Sequence, residues 1–151
     1  MTDARPTDPI DFIEFHDGTI DRVERGSDTD VTIVFDHLYV CIRNGSDHAG
    51  WSYRAQLVLT GVSRFEQDGE LDELSTLSKR DKRNIIDGDV CDANGVSLDL
   101  RQLLDGAPAA SFKLDYLSPE YVAFSADITH AKLILLEAVE RIEDCYIDRP
   151  D

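Results

Sequence analysis

The chain has 151 residues, 42% of them hydrophobic, and carries 31 acidic against 15 basic side chains, a formal charge of −16 at pH 7. A chain of this length and apolar content buries roughly 70% of its unfolded surface and folds as one domain without a metal or disulfide. Its negative field repels nucleic-acid phosphates and anionic bilayers and steers basic proteins or cations, so nucleic-acid and membrane binding are set aside.

Asp outnumbers Glu 22 to 9, and the same charge can serve solubility alone. Cys41, Cys91 and Cys145 form no CxxC pair, and an odd count without a signal peptide points to reduced thiols in a cytoplasm. No apolar run, Leu133 to Leu136 included, is long enough to cross a bilayer.

Residues 1–9, with two prolines and two aspartates, read as a disordered lead, and 10–151 as a single β-rich domain. Ile10 to Phe15 gives a short strand. His16-Asp17-Gly18-Thr19 then supplies an Asp-Gly hairpin turn, with Thr19 to Arg25 returning antiparallel. After a turn over Gly26 to Asp30, Val31, Ile33 and Phe35 alternate, then Leu38, Val40 and Ile42. The inward face changes parity near Asp36-His37, which is what a β-bulge produces.

Asn44 to Gly50 reads as a loop. Trp51, Tyr53, Ala55, Leu57 and Leu59 make a strong period-two strand, broken at Gly61. Leu71, Leu74 and Leu77 recur every third residue with acids leading and Lys79 to Arg83 closing, which predicts one short helix over 70–83. Ile85 to Cys91 is a strand, Asp92 to Gly95 a turn, and Val96 to Leu100 a strand that can curl into a helical turn through Leu104. Strands follow over Phe112 to Tyr116 and Val122 to Ala126. Ala131 to Leu136 alternates as a strand, while Leu135, Ala138, Val139, Ile142 and Tyr146 also carry helical spacing.

The sum is a mainly β antiparallel sandwich or flattened barrel of about eight strands. Ala55, Leu57, Leu59, Val62, Arg64 and Glu66 match Ala131, Leu133, Leu135, Val139, Arg141 and Glu143 when one residue is inserted in the second set. The match suggests an internal repeat of two pseudo-equivalent halves.

No motif dictates catalysis or metal binding: there is no nucleophile elbow, no phosphate loop and no HExxH, and the reading assigns no catalytic residue, metal or cofactor. Three histidines adjoin an aspartate (His16-Asp17, Asp36-His37, Asp47-His48), but neighbours on a regular strand point to opposite faces. With Gly95 at the invariant glycine of a calcium loop, only Asp92 and Asn94 fall on ligand positions, so a hairpin turn is the better reading. The basic cluster Lys79 to Arg83 reads as a helix end.

Two acidic patches stand out as partner-binding candidates. Asp47, His48 and Trp51 form a loop ending in an aromatic, although Trp51 also falls on an inward strand position. Asp87, Asp89 and Asp92 form the second.

Phe15-His16-Asp17-Gly18-Thr19-Ile20, the long strand after it and Leu57-x-Leu59-x-Gly61-Val62 together make a layout similar to small β-rich bacterial domains, among them immunity proteins of contact-dependent or polymorphic toxin systems. The resemblance implies a cytoplasmic inhibitor that blocks a cognate toxin through an acidic surface, with no family catalytic residue to carry over. The leading expectation is therefore a non-enzymatic acidic module that binds a basic protein. The alternatives are a ligand-binding or metal-assisted enzyme in which His16, His37 and His48 converge with aspartates, and a structural subunit of a larger assembly.

Overall fold

A computed structural model describes residues 6, 8–26, 29–44, 47–67, 70–71, 83–117 and 121–142. Ten strands run in chain order: β1 Ile10–Arg25, β2 Val31–Asn44, β3 Asp47–Thr60, β4 Arg64–Gln67, β5 Glu70–Leu71, β6 Arg83–Cys91, β7 Ala107–Pro108, β8 Ser111–Leu117, β9 Tyr121–Asp127 and β10 His130–Ile142. A 3-10 helix, Leu100–Asp105, lies between β6 and β7. Every pairing among the described residues is antiparallel. The sheet order is β5-β4-β9-β8-β6-β1-β2-β3-β10-β7. The mainly β class holds, as an antiparallel sheet curled into a half-barrel.

Alternation builds the core. Tyr53, Ala55, Leu57 and Leu59 of β3, and Ala131, Leu133 and Leu135 of β10, bury on one face with Ile33 and Phe35 of β2. Leu100, Leu103 and Leu104 of the 3-10 helix join the same core. Asp99 caps that helix: its Oδ1 accepts from the Arg101 amide at 3.0 Å, and Gln102 Oε1 accepts from the Asp99 amide at 2.9 Å. Gly106, at φ 81°, ends it. The described short helix is thus here; most of the one expected over 70–83 lies outside the described residues, while Glu70–Leu71 and Arg83 are in strands.

The bulge expected at Asp36-His37 is present. Phe35 pairs with Ala55 and Leu38 with Tyr53, so β2 carries one extra residue there. The hairpin expected at His16-Asp17-Gly18-Thr19 is not: β1 runs unbroken past it, with Glu14 paired to Tyr39 and Thr19 to His37. The Asp-Gly pair lies instead in a large bulge, with four residues of β1, 15–18, opposite Leu38 of β2, because β2 already offers a ladder on either side. Gly18 fits since a Cβ there would lie 2.9 Å from the Phe15 carbonyl oxygen and 3.0 Å from that of His37.

The described part of the loop expected over Asn44 to Gly50 is strand, and residues 45–46 lie outside the described residues. Asp47 to Gly50 pairs with Cys41 to Asn44 in the β2–β3 hairpin. The segment from Ala131 settles as a strand to Ile142, bulged between Leu135 and Glu137 and between Ala138 and Glu140. The topology does not confirm an internal repeat: β3 pairs with β2 before it, whereas β10 lies against β3 and β7 rather than beside β9. No helix of the described residues is long and apolar enough to cross a membrane.

Candidate acidic groove

Among the described residues β1 and β6 pair only at Thr19–Asn84 and Ile20–Arg83, then part. A shallow groove of about 450 Å³ opens where they separate, roofed at one end by the segment Ser97 to Leu100. A bulge between Ile85 and Asp87 resets β6, which buries Val90 and leaves Asp87 exposed and Asp89 partly so. Gly88 lies between them because the Phe15 ring occupies its side-chain space: a Cβ would sit 2.6 Å from Phe15 Cδ2 and 2.7 Å from Leu114 Cδ1.

Four carboxylates, those of Glu14, Asp87, Asp89 and Asp99, line the groove together with His16, and no Lys or Arg is among the described lining residues. Asp89 is held by its neighbours: Ser97 Oγ donates to one carboxylate oxygen and the Cys91 thiol, 3.3 Å away, to the other. Burial first, then the Asp89 carboxylate, pushes that thiol above its ordinary value, so Cys91 is held as thiol rather than thiolate. Asp99 is held below the usual carboxylate range, chiefly by the hydrogen bond from the Arg101 side chain. On another side Asp87 and Asp89 border a hollow of about 180 Å³ shared with Lys113 and Asp115.

The sequence-derived patches divide. Asp87 and Asp89 lie together in the groove. Asp92 does not line it; its Oδ1 accepts from the amides of Asn94 at 2.8 Å and Val96 at 3.0 Å and shapes the turn. Asp47 is in β3, with its side chain outside the described residues. His48 and Trp51, three residues apart on a strand, point to opposite faces. Trp51 packs partly buried against the core. His48 Nδ1 contacts Asp11, whose side chain is only 8% exposed and whose other oxygen lies 3.6 Å from Arg43 Nε.

The histidines do not converge: His16 lines the groove, His37 meets Ser52, His48 meets Asp11, and the His130 ring lies against Gly106. Among the described residues, Asp11, Cys41 and His48 alone bring three ligand atoms within 4.8 Å of one another. Cys41, however, is disulfide-bonded, which leaves it no thiolate for a metal and corrects the expectation of a reduced thiol there, whereas Cys91 is free as expected. Sequence reasoning missed Glu14, His16 and Asp99 as groove residues. Only Asp99 carried a signal, the Asp-x-x-Gln capping box before an apolar run.

No protein-family model matches the chain, nor does any curated protein or solved structure.

Proposed function

We propose that this chain is an acidic protein-binding module whose groove between β1 and β6 receives basic side chains of a partner protein, the mode by which an immunity-type inhibitor would engage a basic toxin. The observation that carries the reading is the lining of four carboxylates with no described Lys or Arg among them. Asp99 pairs with Arg101 just outside the lining, which leaves Asp87 and Asp89 as the expected contacts. Leu98, partly exposed in the lining, gives an Arg or Lys stem apolar contact while its charged head meets Asp87 or Asp89. The overall charge of −16 accelerates approach of such a partner.

The test is titration of the full chain with Arg- and Lys-containing oligopeptides, followed by amide chemical shifts at several salt concentrations. Shifts centred on Glu14, Asp87, Asp89 and Asp99 are expected, with affinity falling as salt rises and falling on the order of tenfold in the Asp87→Asn/Asp89→Asn double variant. Shifts confined to other surfaces, or binding indifferent to that double substitution, would falsify the reading.

A further inference from the structure

We propose that Ser52 and His37 form a nucleophile–base pair, in a second cleft on the face of the sheet away from the core, that takes an acyl group from small activated esters. Ser52 is 3% exposed and is the only buried polar residue among the described ones. It sits on β3 with a bulge in each flanking strand, between Phe35 and Leu38 on β2 and between Ala138 and Glu140 on β10. Bulges gather beside active sites because they re-aim side chains.

Here the β2 bulge does that. Strict alternation would send Asp36 and His37 to opposite faces, yet both line one cleft of about 510 Å³ together with Ser52, Arg54 and Glu140. His37 Nδ1 is hydrogen-bonded to Ser52 Oγ. Arg54 is the fixed cation among the described lining residues; its NH1 donates to Glu137 Oε1 at 3.2 Å, and its Nε is buried without a hydrogen-bond partner.

A serine hydroxyl is a weak nucleophile until a base within hydrogen-bond reach removes its proton. With the His37 proton on Nε2, Nδ1 accepts the Ser52 proton as Oγ attacks the ester carbonyl carbon and the C=O electron pair moves to oxygen. The guanidinium of Arg54 supplies positive charge beside that developing oxyanion. The carboxylates of Asp36 and Glu140, in the same lining, favour the imidazolium that forms. Collapse of the tetrahedral intermediate expels the alkoxide or phenoxide, which takes the proton from His37. Water, deprotonated by His37, then attacks the acyl-serine, and the carboxylic acid leaves as Ser52 regains a proton. Atoms and electrons balance without a metal or redox partner.

This cleft shares no described lining residue with the acidic groove, so the two readings fail separately. The test is exposure of the full chain to p-nitrophenyl acetate, with nitrophenolate release followed by absorbance and the acetylated peptide located by mass spectrometry. The expected result is acetyl on Ser52, absent in Ser52→Ala and slowed on the order of a hundredfold in His37→Gln, with circular dichroism showing both variants folded. Because Ser52→Ala alone could perturb the sheet, His37→Gln carries the decision independently. Acetylation found only on lysines or the N-terminus, or Ser52 labelled at an unchanged rate in His37→Gln, would overturn the proposal.

Discussion

At residue scale, two positions make the dependence on local geometry measurable. Gly88 has no room for a methyl group because Phe15 and Leu114 occupy it, and both are buried in the core. Gly88→Ala is therefore expected to destabilise the chain by about 1–3 kcal/mol through overpacking, read as a lower urea midpoint. Asp99 caps the 3-10 helix and pairs with Arg101 at 2.6 Å. Asp99→Ala should cost about 1 kcal/mol at neutral pH. The pH dependence has a definite sign: because the folded carboxyl is lowered, chiefly by Arg101, its contribution is present above the ordinary carboxylate pKa and is lost as pH falls through the lowered value. Parent and variant midpoints should converge in acid, and a gap that stays constant down to the acid limit would count against the ion-paired cap.

At element scale, β10 is the informative case, since its sequence fits two periods. A helix would bury Leu135, Ala138, Val139 and Ile142 as one stripe. Pairing with β3 instead buries Ala131, Leu133 and Leu135 and leaves Val139 55% exposed at a bulge. Leu133→Ala is expected to cost about 2–5 kcal/mol and Val139→Ala no more than about 0.5 kcal/mol, both by chemical denaturation; comparable losses at the two sites would contradict the strand register. β3 and β10 are two core strands paired side by side, each with small and large apolar residues on one face.

At the scale of the whole molecule, the −16 charge bears on folding as well as on the binding proposed above. The acidic surface repels itself in the compact state, and salt screens that repulsion. Thermal midpoint should rise when sodium chloride goes from about 10 mM to about 0.5 M, whereas affinity for basic peptides should fall over the same range; a midpoint that drops with salt would mean ion pairs outweigh the net repulsion. The opposite directions separate the effect of charge on stability from its effect on recognition.

The sequence by itself determined the class of fold, because period-two alternation over β2, β3, β8 and the start of β10 is a local property of the chain. Parity alone located the Asp36-His37 bulge, and charge alone pointed to Asp87 and Asp89. Tertiary structure decided what depends on neighbours. The Asp17-Gly18 turn signal became a bulge because β2 pairs with β1 on both sides of it, and Asp47 to Gly50 joined β3 because the two strands extend past their apolar pattern. Glu14, His16 and Asp99 reached Asp87 and Asp89 only because β1 and β6 part company after two pairs, and His37 reached Ser52 only across a strand pairing fifteen residues apart in sequence. Such contacts depend on register between distant segments, and no local pattern of side chains encodes that register.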